Sequence, residues 1–201
     1  MIAVCVDFKS PHSYLAFEPT RALERRLGID FAWWPLVLPA LPRPKPASPG
    51  DDRGARHRRA RAEYLARDIA RYAEARGLAL GDVHRDVDTT LPAQALLFLR
   101  QTASERAGAF CARVFELVWK ENANPADTSA IEAALGSASG GFRAYLERDA
   151  ARELAENARA LAEAGVWSVP AYLVDGDVFI GRQHLPMLEW LATGRAGEPP
   201  L

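Results

Sequence analysis

The segment DFKSPHSYLA, residues 7–16, places a hydroxyl where a strand gives way to a helix. The apolar run IAVCV leads into it, and Ala16, Thr20, Leu23 and Leu27 share one helical stripe after it. Ser10 is a good N-cap residue, and Pro11 suits the first helical position, where no N–H is needed. The orphan N–H groups and the dipole of such a helix favour an anion beside Ser10. A serine there cannot exchange disulfides, but it can donate a hydrogen bond to another molecule's thiolate. It can also do no more than cap the helix.

The elements that must position Ser10 follow from hydrophobic period and turn residues. Residues 2–8 read as a buried strand, and residues 11–27 as a helix closed by Gly28. The aromatic and β-branched run IDFAWWPLVL predicts a second strand. The proline-rich stretch PALPRPKPASPGDD can neither continue a helix nor donate to a ladder, so it reads as an irregular connector. From residue 55 to 164 the pattern is helical throughout. Leu65, Ile69, Tyr72 and Ala73 form one stripe, ended by Gly77. Leu96, Leu99, Ala103, Ala107, Phe110, Val114 and Val118 form a longer one. Leu154, Ala155, Ala158, Leu161 and Ala162 form a third, ended by Gly165. In AYLVDGDVFIG two short apolar runs flank Asp-Gly, a strong hairpin signal. HLPMLEWLATG reads as a last helix, with Pro186 in its first turn and Gly194 after its end.

The order is β-α-β, a long helical block, then β-β-α, which is the thioredoxin order around an insertion. The expected fold is therefore α/β, a thioredoxin-like fold with a large all-helical insertion. Residues 1–42 and 166–201 are expected to form the thioredoxin-like domain, and residues 43–165 the helical insertion domain. In that fold Val169-Pro170, just before the hairpin, is expected to be cis and to face Ser10.

Composition narrows the functional classes. The chain has 201 residues, 49% of them hydrophobic and 25% charged, as in ordinary globular proteins. A net charge of -1 gives no reason to expect nucleic acid or an anionic membrane as partner. No run of 18 apolar residues exists, so no membrane span is expected. MIAVCVDF reads as a first strand rather than a signal peptide, which makes a cytoplasmic location the expectation. Cys5 and Cys111 lie far apart, form no CxxC, and read as small core residues. No His, Asp or Glu spacing suggests a metal site, and neither GxSxG nor a glycine-rich phosphate loop occurs.

Other chemistry-bearing residues allow two readings. In DDRGARHRRAR, Arg53, Arg56, Arg58, Arg59 and Arg61 around His57 could hold carboxylates. They read better as a solvated helix face pairing with Asp51, Asp52 and Glu63. Trp33, Trp34, Trp119 and Trp190 read as core. Trp167, three residues before Pro170, is the exception. His84 and His184 read as surface or capping residues.

Three segments together resemble one family. DFKSPHSYLA follows the pattern DF-x-SP-x-SYLA, and VFELVWKENANPAD follows a helix motif ending in an acidic, proline-containing turn. GVWSVPAYLVDGDVFIGRQHLPMLEWLA matches most positions of the closing motif. The chain thus resembles, over essentially its whole length, the 2-hydroxychromene-2-carboxylate isomerase family and its relative, kappa-class glutathione transferase. Both belong to the DsbA-like branch of the thioredoxin superfamily.

The resemblance implies a glutathione-dependent isomerase acting in aromatic degradation, with glutathione as cosubstrate and a small aromatic carboxylate as substrate. Ser10 would be catalytic, hydrogen-bonding the glutathione sulfur and lowering its pKa. Ser10, Pro11 and His12, then Trp167, Ser168, Val169 and Pro170, and finally Gly181, Arg182 and Gln183 would form the glutathione site. Val169 would pair with the cysteinyl backbone, and the segment from Gly181 to His184 would receive the γ-glutamyl end. No metal is implied, and a homodimer is. The alternatives are a kappa-class-like transferase and a redox-inactive thioredoxin-like binding domain. The absence of CxxC argues against a dithiol oxidant.

The sequence departs from the family at identifiable places. Arg182-Gln183 stands where the family has Asn-Asp or Ser-Asp, so the carboxylate for the glutathione ammonium is missing and weaker binding is expected. The family's ligand-contacting Asn and Lys after the second strand have no clear counterpart, Lys45 being the only lysine in that stretch. His12 replaces a frequent aromatic residue.

Overall fold

The computed structural model describes residues 1–78 and 80–200. Strands β1 (Ile2–Val6), β2 (Ala32–Pro35), β3 (Ala171–Val174) and β4 (Asp177–Ile180) form one sheet in the order β2-β1-β3-β4. β1 runs parallel to β2 and antiparallel to β3, and β3 runs antiparallel to β4. Helix α1 (Pro11–Leu27) connects β1 to β2. Between β2 and β3 lie α2 (Arg53–Ala75), α3 (Thr90–Thr102), α4 (Ala107–Trp119), α5 (Thr128–Leu135), α6 (Phe142–Arg148) and α7 (Ala150–Glu163). Helix α8 (Leu185–Ala192) follows β4 through a 3-10 turn at Arg182–His184. No helix among the described residues is long and apolar enough to cross a membrane.

β1 is apolar at successive positions because both of its faces are covered. Val4 and Val6 enter a large core with Trp33, Tyr172, Leu96, Phe110 and Phe115. Cys5 points into a second cluster with Leu36, Leu161, Val169 and Ala171. The larger core joins the sheet to the inserted helices without a break. At the hairpin, Asp175 (φ 52°) and Gly176 (φ 92°) both take the left-handed conformation. A two-residue turn of that hand matches the twist of the strands it joins. Gly28 (φ 65°) closes α1, its N–H donating to the Glu24 carbonyl.

Several element boundaries and faces differ from the sequence expectation. β1 stops at Val6, since Asp7 and Phe8 already turn toward the helix, and β2 covers only Ala32–Pro35. The stripe from Leu96 to Val118 is split between α3 and α4, because Ala103 adopts φ −160°, ψ 60° and breaks the helix. On α7, Ala155 and Ala162 are exposed while Asn157 is buried, its amide donating to the Pro35 carbonyl at 2.7 Å. Alanine carries too little apolar area to fix a helix face, and a strand-end carbonyl needs a donor. On α2, Ile69 and Ala73 are buried, but Tyr72 is exposed and faces a cleft.

Candidate functional site

The site is built on the turn between β1 and α1. Asp7 is buried and acts as its anchor. One carboxylate oxygen accepts from the Thr89 hydroxyl at 2.7 Å and the Lys9 N–H at 3.2 Å. The other accepts from the Leu38 N–H at 2.8 Å. Burial raises the Asp7 pKa above the ordinary carboxylate value, while these hydrogen bonds and nearby Lys9 oppose the rise. The Trp119 indole N–H donates to the Phe8 carbonyl at 2.9 Å, and its ring stacks on Tyr14. The turn is therefore fixed by α3, α4 and the connector after β2 together.

Ser10 is held by this turn. Its N–H donates to the Asp7 carbonyl at 3.0 Å, and its Oγ accepts the Ser13 N–H at 3.3 Å. Ser13 Oγ in turn accepts the Asp7 N–H at 3.3 Å. Capping uses a lone pair of the Ser10 hydroxyl and leaves its proton free to donate. Capping and donation to an anion are thus compatible roles for one atom.

Ser10 opens onto a cavity of about 140 Å³ lined by Asp7, Lys9, Pro11, His12, the connector Leu38–Pro42, Ser168 and Val169. The Val169-Pro170 bond is cis. The Pro170 carbonyl accepts the Gly181 N–H at 2.8 Å, which ties the bond to the end of β4. A second, larger cleft of about 780 Å³ runs along α1 from His12 to Arg26, walled by α2 and by residues 182–189. His12 lines both cavities. Burial, reinforced by Arg182, lowers the His12 pKa, so the imidazole is neutral at pH 7.

The expected site residues divide between these cavities. Ser10, Pro11, His12, Ser168 and Val169 meet at the smaller one, with Pro170 immediately behind. Arg182 and Gln183 line the larger one. Gly181 (φ 105°) turns the chain between them, and a Cβ there would collide with the Gln183 amide. Trp167 lines neither cavity and is 72% exposed. His184 packs at a tilt against Phe179 and does not line the cleft. In the arginine-rich segment, Asp52 caps α2, Arg59 pairs with Asp51, and Arg53, Arg56, His57, Arg58 and Arg61 are exposed.

Sequence reasoning missed several residues at the site. Lys45 is exposed, whereas Lys9, whose side chain is 9% exposed, stands beside Ser10 and pairs with Asp86 at 3.5 Å. Its adjacency to Ser10 was the available signal. Lys9 also lines a third cavity, of about 560 Å³, with Val87, Val118, Trp119, Arg85 and Lys120. Asp7 stands in the DFKSPHSYLA segment, but its partners Thr89 and Leu38 are set by the fold. Thr89, Asp68 and Tyr72 carried no signal, because only the fold brings them to the turn and the cleft. Burial pushes the Cys5 thiol up to about 12 and raises that of Cys111 as well, so neither provides a nucleophile.

A thioredoxin-like sheet with SPHS at the helix start and a cis proline opposite defines a DsbA-like protein without a redox dithiol. The chain belongs to the DSBA-like thioredoxin domain family, whose profile matches residues 1–191. Among solved structures, it is similar to a 2-hydroxychromene-2-carboxylate isomerase, with 25% identity and a TM-score of 0.70 over 96% of this chain and 94% of that one. It also resembles a probable DsbA oxidoreductase from Streptomyces coelicolor, with 18% identity and a TM-score of 0.64 over 100% and 92% of the two chains. The cytosolic disulfide reductase DsbM from Pseudomonas aeruginosa matches with 17% identity and a TM-score of 0.63 over 96% and 95%. No curated protein matches the sequence.

Proposed function

We propose that the protein is a glutathione-dependent isomerase of the 2-hydroxychromene-2-carboxylate isomerase type. The observation that carries this reading is the Ser10 hydroxyl, which accepts the Ser13 N–H at the N-terminus of α1 and shares a cavity with Val169. Bound glutathione would supply a thiolate that adds reversibly to a conjugated carbon of the substrate, freeing the former double bond to rotate. The residues present fit such a group. Ser10 donates to the sulfur, and the helix dipole of α1 adds to the stabilisation of negative charge there. Val169, next to the cis bond, offers its backbone to an extended peptide. Asp7 positions Ser10 through its backbone carbonyl, which accepts the Ser10 N–H at 3.0 Å.

The third cavity supports an aromatic carboxylate as the substrate. Lys9 offers a cation next to Ser10, and Trp119, Val87 and Val118 offer an apolar wall. Arg85 already caps the end of α4 through the Val118 and Ala123 carbonyls, at 3.2 and 3.0 Å, and Lys120 bonds Glu116 at 2.9 Å, which leaves Lys9, 3.5 Å from Asp86, as the better-placed cation. The test is calorimetry with reduced glutathione and a thiol-free analogue, followed by turnover of an aromatic α,β-unsaturated carboxylate. Binding of glutathione that weakens without the thiol, together with isomerised product, is the expected result. Absence of glutathione binding would replace this reading with a redox-inactive binding domain. Conjugate release without isomerisation would replace it with a transferase.

A further inference from the structure

We infer that Asp68 of α2 and Arg182 of the β4–α8 turn form a two-sided receptor for an α-amino-acid zwitterion, the γ-glutamyl head of glutathione. The inference rests on the proposed function and adds a specificity-determining residue to it. The turn after β4 carries Gln183, which has no charge to offer an ammonium. The structure brings a carboxylate to the same place from a different element. Arg182 Nη2 donates to Asp68 Oδ2 at 3.3 Å, and both residues line the 780 Å³ cleft at its His12 end. Their side chains are only 18% and 20% exposed, which reduces the solvent screening of their charges.

The pair has unused capacity on both sides. A guanidinium has five N–H donors, and this one spends a single donor on Asp68. Each Asp68 oxygen meets one arginine N–H, from Arg71 or Arg182, and retains a lone pair. Arg71 reaches Asp68 from solvent, being 67% exposed, so Arg182 is the cation on the cleft side. The Arg182 guanidinium lies 4.0 Å from the centre of the Tyr72 ring, which fixes its plane. His12, between this pair and Ser10, is neutral and does not compete for a carboxylate. An α-carboxylate at Arg182 and an α-ammonium at Asp68 would complement the two adjacent charges. His12 lines both the Ser10 cavity and this cleft, which gives a tripeptide held at Ser10 a path to the pair, and only its γ-glutamyl end carries both charges.

The test compares three ligands on two variants and wild type by calorimetry. The ligands are glutathione, glutaryl-Cys-Gly, which lacks the α-amino group, and 4-aminobutyryl-Cys-Gly, which lacks the α-carboxylate. Asp68→Asn should weaken glutathione binding about ten- to hundredfold and leave glutaryl-Cys-Gly unchanged. Arg182→Met should weaken glutathione and glutaryl-Cys-Gly and leave 4-aminobutyryl-Cys-Gly unchanged. If wild type binds glutathione but Asp68→Asn lowers all three ligands equally or none, Asp68 is only a tie between α2 and the turn. The inference is then wrong while the proposed function stands. If wild type binds no glutathione, both fail.

Discussion

The Thr89 hydroxyl donates to the Asp7 carboxylate at 2.7 Å, joining residues 82 positions apart in the chain. The start of α3 is thereby fastened to the turn that holds Ser10. Leu38, on the other carboxylate oxygen, adds the connector after β2. One buried carboxylate thus sets the distance between the helix tip and two of the segments around it.

Asp7→Asn exchanges one acceptor for a donor among three groups that all donate. It should cost about 1–3 kcal/mol of stability, the penalty for leaving buried polar groups mismatched. Its pH dependence has a definite sign. The native pKa of Asp7 lies above the ordinary 3.8, so the folded state holds the proton more tightly than the unfolded chain. Asp7 therefore lowers stability as pH rises from about 3.8 through its raised native value, and makes no further change above it. Urea midpoints measured across that range should show this slope for wild type and lose it in Asp7→Asn.

Ser10→Ala should leave the fold intact, losing about 0.5–2 kcal/mol from the α1 cap. It should raise the thiol pKa of bound glutathione and slow turnover at neutral pH. Part of the rate should return as pH rises and glutathione ionises unaided, since a free thiol has a pKa of about 8.5. The ultraviolet absorbance of the bound thiolate against pH reads this directly. Coincident titration curves for wild type and Ser10→Ala would reduce Ser10 to a helix cap.

Ser10→Cys should not create a disulfide oxidoreductase. Ser13 is fully buried and its Oγ is bound to the Asp7 N–H, so no resolving thiol stands behind position 10. Mass spectrometry after incubation with oxidised glutathione should show a persistent mixed disulfide. Catalytic turnover of a dithiol substrate would contradict this.

Lys9→Met should raise KM for an aromatic carboxylate about ten- to hundredfold, through loss of a charge-assisted hydrogen bond. KM for glutathione should change little. Equal losses for both would place Lys9 at the glutathione carboxylates instead.

Gly181→Ala should be destabilising by about 1–3 kcal/mol. Gly181 has φ 105° and ψ 152°, a region essentially closed to residues with a Cβ. Thermal unfolding should report the loss, and glutathione affinity should fall with it because Arg182 is displaced.

The sheet, the serine cap and the hairpin were legible in the sequence because each is a local signal. Ser10-Pro11 marks a helix start, Asp175-Gly176 a primed turn, and the run Ile2–Val6 a strand covered on both faces. The long apolar stripe through Ala103 misled because a single non-helical residue does not disturb periodicity. In the candidate site, Ser10 sits beside such a signal, whereas Val169 and Arg182 came from the resemblance; the fold puts Val169 in the Ser10 cavity and Arg182 in the larger cleft. Asp68 was not legible, since a helix-surface aspartate looks the same whether it faces solvent or an arginine from residue 182. Asp7 and Thr89 failed for the same reason, their pairing being set by tertiary packing.

The placement of β1 at the interior of the sheet, between β2 and β3, has a consequence for synthesis. β1 is paired on one side by a segment made long after it, beyond the whole helical block. Until residues 171–174 arrive, one edge of β1 stays unpaired, and the cavity at Ser10 lacks its Ser168–Val169 wall. Such long-range pairing slows folding, because chain entropy is lost before the contacts that repay it can form. A chain cut short before β3 would carry the serine but no site, and would expose a hydrophobic strand edge that invites aggregation.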